Sequence, residues 1–194
     1  MIIYSTLHLL SRPFQWFFGA RIVNADRIPA SGPAVLAGNH FHAFDPLLVD
    51  SCTKRPIFSL TKQSLLDGPF GWVFRGVGSI PVDYSRSHNK PATAAAVERL
   101  RQGDLVGLAP EGHRNKTDQL LLPFKFGAVS MAQKAGCPIV PYAIAGRYAF
   151  RDRSLTIQFG QPWSIGPTDD LTEANQRLRQ QVEDLLLGLR QPVA

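Results

Sequence analysis

The chain is 194 residues long, enough for one domain with a sizeable core. Hydrophobic residues make up 44% and charged residues 19%, a globular balance that excludes a disordered, collagenous or coiled-coil chain. Lysine and arginine outnumber aspartate and glutamate by 21 to 15, leaving +6, so anionic partners are favoured: phosphorylated substrates, acidic carrier proteins, anionic lipid or nucleic acid.

The chain opens on an apolar stretch from Met1 to Phe18, interrupted by His8, Arg12 and Pro13. Only about ten residues run apolar before Arg12, against the roughly 20 needed to span a bilayer. The stretch also lacks the basic start and small-residue cleavage site of a secretory signal. Two readings stand: a helix packed on the domain, or an interfacial segment. The second seats Phe14, Trp16, Phe17 and Phe18 at a lipid boundary, with Arg12 and Arg21 meeting head groups. The division expected is an amphipathic segment over residues 1–28, followed by one domain over 29–194.

Within that domain strands and helices alternate. Pro33 to Gly38 reads as a buried strand. Asp45-Pro46 reads as a helix start, with aspartate as N-cap and proline at the first helical position. Ile57 to Leu60 suits a strand, and Lys62 to Phe74 a helix bent at Gly68-Pro69. Ser79 to Val82 is strand-like, Thr93 to Arg101 helical, and Asp104 to Ala109 strand-like again. Phe124 to Lys134 predicts a helix stopping at Gly136, with strands at Ile139 to Ile144 and Leu155 to Phe159. Leu171, Ala174, Leu178, Val182, Leu185 and Leu189 recur at helical spacing and close the chain with an amphipathic helix. The fold class is therefore α/β: a single layered domain, its central sheet largely parallel and flanked by helices, plus the amphipathic N-terminal segment. Two cysteines, Cys52 and Cys137, are too few for a disulfide framework, which fits a reduced compartment.

Asn39-His40-Phe41-His42-Ala43-Phe44-Asp45 begins where a strand ends and finishes where a helix starts, the place where open α/β sheets hold ligands. A histidine takes a proton near neutral pH, and a carboxylate on its other nitrogen fixes the tautomer. His40 and Asp45 do not share a helical face, so the pair needs a turn between them; the alternative is a loop histidine beside a capping aspartate. A metal reading with His40, His42 and Asp45 as ligands is also open, though the other histidines fit no ligand pattern. No G-x-S-x-G elbow is present, and Cys52 reads as a small buried residue, so a His–Asp pair acting directly on a substrate hydroxyl suits the sequence better than a covalent nucleophile.

A second cluster, Ala109-Pro110-Glu111-Gly112-His113-Arg114, also follows a strand. Gly112 allows a tight turn and Arg114 offers a planar fork for phosphate oxygens. Glu111 is expected to orient the arginine or pair with the substrate. Lys116 and Lys125 add charge nearby. Lys62 and Arg86 each follow another strand, and cations after separate strands point to an anion pocket rather than scattered surface charge.

These motifs resemble the glycerolipid acyltransferases, specifically the 1-acylglycerol-3-phosphate acyltransferases. The family's N-H-x4-D motif is matched by Asn39, His40 and Asp45. Its second motif is matched in part by Gly78 to Asp83, and its third by Glu111 to Asn115 followed by Leu121 to Lys125. Its fourth is matched by Ile139-Val140-Pro141. Two departures stand out: Tyr84 where the second motif has arginine, with Arg86 two residues later, and His113 and Asn115 where the third has threonine and serine. The resemblance implies acyl transfer from a thioester, on coenzyme A or acyl carrier protein, to the free hydroxyl of a lysophospholipid. In it His40 is the general base and Asp45 its orienting partner. Lys62, Arg86, Glu111, Gly112 and Arg114 bind the substrate, and backbone amides near Gly112 or the first helix serve the oxyanion. It implies no metal and no resident cofactor, a membrane-surface setting on the cytoplasmic face, and no nucleic-acid partner.

Overall fold

In the computed structural model the described residues are 13–83 and 89–190. They form seven strands: β1 (Arg21–Val23), β2 (Ala34–Gly38), β3 (Ile57–Lys62), β4 (Ile80–Val82), β5 (Leu105–Leu108), β6 (Ile139–Ala145) and β7 (Thr156–Phe159). The helices are α1 (residues 13–18), α2 (Asp45–Asp50), α3 (Gln63–Leu66), α4 (Gly71–Gly76), α5 (Lys90–Arg101), α6 (Gly127–Ala135) and α7 (Leu171–Arg190). The strands make one sheet in the order β1-β7-β6-β2-β5-β3-β4, parallel throughout except for the β6–β7 pair. This is the layered, largely parallel α/β architecture that the alternation predicts.

The central strand β2, Ala-Val-Leu-Ala-Gly, is wholly buried, as a strand covered on both faces must be. Its residues alternate between two cores. Val35 and Ala37 join Val106, Ala128, Leu178 and Val182 under α5, α6 and α7. Ala34 and Leu36 face the other way, onto Leu48 and Val49 of α2 and Phe18 of α1. A layer of helices thus closes each face.

Three details depart from the sequence reading. Helix α2 has Phe44 as its N-cap and Asp45 as its first helical residue, one position earlier than expected. The reason is that the Asp45 carboxylate does not cap its own helix but is occupied by the loop before it. Helix α6 starts at Gly127 rather than Phe124, because the Lys125 amide is bonded to the Pro110 carbonyl and the Phe124 carbonyl to Asn175. Strand β1, unforeseen, lies inside residues 1–28 and pairs in parallel with β7, while Phe18 and Ile28 are core residues. Residues 13–28 are therefore built into the sheet and its packing rather than standing ahead of them; Met1 to Arg12 lie outside the described residues. None of the helices among the described residues is long and apolar enough to cross a membrane.

Because β2, β3, β4, β5 and β6 run in parallel, their carboxyl ends share one edge of the sheet. The loops there carry His40, Lys62, Asp83, Glu111 to Asn115, and residues 146–155. That edge holds the site.

Candidate active site

Two side chains set the corner of the site. His40 Nδ1 lies 2.8 Å from Asp45 Oδ2. Facing a carboxylate, Nδ1 carries the hydrogen and donates it, which leaves the lone pair on Nε2. The turn that brings the pair together is made by the same oxygen: Asp45 Oδ2 also accepts the backbone N–H groups of Phe41 and His42, each at 2.8 Å. The other oxygen, Oδ1, accepts the Tyr148 hydroxyl at 2.7 Å. Asp45 is buried, whereas the His40 side chain keeps 24% of its exposure and lines the adjoining groove. A half-buried histidine that opens onto the groove beside a buried, fully engaged carboxylate can exchange protons with a ligand there. The second imidazole of the loop is used differently: His42 stacks on Tyr148, ring centroids 4.3 Å apart, and its Nδ1 accepts the Phe44 amide. Among the described residues no cluster of His, Cys, Asp and Glu is gathered as a metal site.

The backbone under His40 is fixed from three sides. Asn39 donates through Nδ2 to the Ile144 carbonyl at 2.9 Å and accepts the Ile144 amide at 2.8 Å, tying the end of β2 to β6. The His40 carbonyl accepts the Asn115 amide at 2.7 Å. The His40 amide donates to Glu111 Oε1 at 2.9 Å, and Glu111 Oε2 accepts the Leu122 amide at 2.9 Å. This corrects the reading of Glu111. It is 1% exposed, with both oxygens taken by backbone amides, so it braces the loops under the histidine rather than orienting Arg114 or meeting a substrate. Burial pushes its carboxyl above the ordinary range, and the amides of Leu122 and His40 pull back.

Gly112 has φ of +76°, the left-handed region, and a Cβ there would meet Lys125 Nζ at 2.9 Å. The glycine thus makes the turn after β5 and leaves room for the Lys125 side chain above it. The Gly112 amide donates to the Ala109 carbonyl at 3.0 Å and is itself engaged in the turn. Lys62, at the end of β3, and Arg114 both line the groove and are exposed. Among the described residues neither side chain has a hydrogen bond or an ion pair. Arg86, the remaining expected cation, lies outside the described residues together with Tyr84.

The groove has a volume of about 2740 Å³, well beyond the roughly 300–1,000 Å³ of ordinary small-molecule pockets. His40, Lys62 and Arg114 share its lining with Phe14, Phe44, Leu47, Val73, Phe74 and Phe126. It can therefore take a ligand with an anionic head and a long apolar body. Cys52 does not serve as a nucleophile: burial pushes its thiol up to about 12, and its sulfur points at the Leu48 carbonyl 3.1 Å away. At the far end of α2, Asp50 also lines the groove. Its Oδ1 is closed off from solvent and has no hydrogen-bond partner among the described residues, and burial pushes the carboxyl up to about 7.

Sequence reasoning thus found the dyad and two cations but missed Tyr148. Its contact with Asp45 spans 103 positions and has no signature in spacing.

A family model described as Acyltransferase matches residues 19–145. The 1-acyl-sn-glycerol-3-phosphate acyltransferase of Borreliella burgdorferi is 30% identical over 149 residues, 75% of this chain and 59% of that protein. The protein of the same name from Bacillus subtilis is 26% identical, over 74% of this chain and 73% of its own. The human 1-acyl-sn-glycerol-3-phosphate acyltransferase beta is 31% identical, over 72% and 51%. The matches to these relatives thus take in between 51% and 73% of their lengths. In fold, the chain is similar to the crystal structure of the 1-acyl-sn-glycerophosphate acyltransferase of Thermotoga maritima, with a TM-score of 0.78 at 20% identity, covering 98% of this chain and 81% of that one. Since the family match takes in more than half of its residues, the chain belongs to the acyltransferase family.

Proposed function

We propose that the protein transfers an acyl group from a thioester, on coenzyme A or acyl carrier protein, to the free hydroxyl of a lysophospholipid. The acceptor proposed is 1-acylglycerol 3-phosphate, and the product is phosphatidic acid, a step of phospholipid biosynthesis. The observation that carries the reading is the His40–Asp45 pair at 2.8 Å, opening onto a groove that also holds Lys62 and Arg114, neither with a side-chain partner among the described residues. The names of the relatives support the same acceptor.

The acceptor hydroxyl hydrogen-bonds to His40 Nε2. As its oxygen attacks the thioester carbonyl, the proton passes to Nε2, and the Asp45 carboxylate stabilises the imidazolium that forms. The tetrahedral intermediate collapses with loss of the thiolate, which takes the proton from His40, leaving ester and free thiol. General-base help of this kind contributes about 10²–10⁴-fold. Lys62 and Arg114 hold the phosphate, and fixing the head positions the hydroxyl against Nε2, a contribution of comparable size. Arg86 is proposed as a further phosphate ligand on sequence grounds alone. Glu111 and Gly112 act on the shape of the loop rather than on the substrate. The reaction as written needs no metal or bound cofactor and no nucleic-acid partner.

The acyl chains need an apolar surrounding, and the protein works peripherally at a membrane surface, on its cytoplasmic face. Trp16, Phe17 and Phe150 are exposed side by side, with the Arg151 guanidinium 4.4 Å from the Trp16 ring. Such a basic and aromatic patch suits the head-group boundary. Both cysteines are free, in keeping with a reduced compartment.

The test is an acceptor panel of 1-acylglycerol 3-phosphate, glycerol 3-phosphate and a neutral lysolipid, each with one long-chain acyl-CoA. Fastest ester formation on 1-acylglycerol 3-phosphate is expected. Transfer confined to the neutral lysolipid would overturn the acceptor assignment.

A further inference from the structure

We propose that Tyr148 is a positioning residue for Asp45 and that helix α1 holds it in place; this rests on the roles of His40 and Asp45 proposed above. The three donors on Asp45 Oδ2 all come from residues 40–42, one side of the carboxylate. The last torsion of an aspartate side chain is soft, so donors on one oxygen alone leave the carboxylate plane free to rock. The Tyr148 hydroxyl at 2.7 Å from Oδ1 supplies the second fixed point. Burial and the neighbouring Asp45 charge both push this hydroxyl upward, which keeps it a donor through the neutral range. Asp45 lines the groove, whereas Tyr148 is not among the described residues that do, so the tyrosine acts through the aspartate rather than on a ligand.

Tyr148 is delivered by the loop between β6 and β7, and that loop is tied to α1. The Arg151 amide donates to the Phe17 carbonyl at 2.9 Å, and Phe150 packs on Phe17 with centroids 4.9 Å apart. The Tyr148 ring itself is wedged between His42, at 4.3 Å, and Phe18, at 5.4 Å edge-on. From its other side, α1 reaches the end of α2: Gln15 Nε2 donates to the Ser51 carbonyl at 2.7 Å. One short helix thus bonds both to the loop that carries Tyr148 and to the end of the helix that carries Asp45. Loss of the α1 contacts would loosen the dyad without touching either member.

The test is a double-mutant cycle on the whole protein: wild type, Tyr148→Phe, Asp45→Asn and the double variant. Initial rates are measured on whichever acceptor of the panel turns over fastest, with a long-chain acyl-CoA. Tyr148→Phe keeps the ring and its packing but leaves the buried Asp45 Oδ1 one donor short, so the variant should still fold and melt a few degrees below wild type. The expected result is a kcat lowered about tenfold with KM unchanged, and a double variant no slower than Asp45→Asn within about twofold, because residues acting as a unit are not additive. A full tenfold further loss in the double variant, an unchanged kcat in Tyr148→Phe, or an effect on KM alone would overturn the proposal. His40→Ala runs alongside: if it transfers acyl groups at the wild-type rate, the roles of His40 and Asp45 fail first, and the two failures are told apart.

Discussion

Two parts of the groove lining are built in opposite ways. At the end of β2, Asp45 takes four donors, and both backbone groups of His40 are bonded. Elsewhere in the groove lining, Lys62 at the end of β3 and Arg114 in the loop after β5 have no side-chain partner among the described residues. The first arrangement suits a step that needs fixed geometry, since pre-set groups need no reordering at the moment of reaction. The second suits recognition, where long cations adapt to the anion that arrives. On the proposed reading, chemistry is held by the scaffold and acceptor choice by side chains without a partner among the described residues. The two departures in the third motif, His113 and Asn115, are divided the same way. Asn115 is bonded into the loop under His40 through its amide, whereas His113 is exposed in the groove beside Arg114.

Breaking the fixed side should cost most. Asp45→Asn removes the acceptor that holds the His40 tautomer, and the expected loss is about 10³-fold in kcat with the melting transition retained, measured on the preferred acceptor. An Asn variant within tenfold of wild type would mean that the aspartate is mere loop structure. Glu111→Ala strands the amides of His40 and Leu122, and an unsatisfied buried donor costs about 1–3 kcal/mol. Denaturant unfolding should show a loss of that order or somewhat more, together with slower turnover. The adaptable side should give smaller effects that depend on the acceptor. Arg114→Ala is expected to raise KM for 1-acylglycerol 3-phosphate about 10- to 30-fold while leaving a neutral lysolipid within about threefold. Equal effects on both acceptors would remove the phosphate contact.

The smallest effect belongs to Asp50. Its carboxyl rises to about 7 in the folded protein from 3.8. Between those values the unfolded chain has released its proton and the folded chain still holds it, so wild-type stability falls as pH rises through this window and levels off above it. Because Asp50 is only half-buried, the discounted gain expected for Asp50→Asn is about 1 kcal/mol at pH 8 and close to none at pH 4, read from unfolding midpoints at the two values. A gain of the same size at both would sever it from ionisation.

How legible this was in the sequence depends on the range of each contact. β2 and the terminal helix announce themselves by local pattern, and the His40–Asp45 pair by a spacing of five positions. Glu111 was legible as a site residue but not in its role, because its partners are backbone amides 71 and 11 positions away. Tyr148 left no trace at all, since a hydroxyl reaching a carboxylate from another loop follows no periodicity. Strand β1 has only three residues, none buried, and exists because β7 offers it a parallel edge. The N-cap was misplaced by one residue for the same kind of reason: Asp45 spends its oxygens on the preceding loop and on Tyr148, as only the folded chain reveals.

The most direct measurement is the rate of phosphatidate formation by His40→Ala, with 1-acylglycerol 3-phosphate and a long-chain acyl-CoA, on protein shown by its melting curve to be folded. An imidazole that takes the hydroxyl proton predicts a rate at least about 10³-fold below wild type. A folded variant that esterifies the acceptor as fast as wild type would contradict the account.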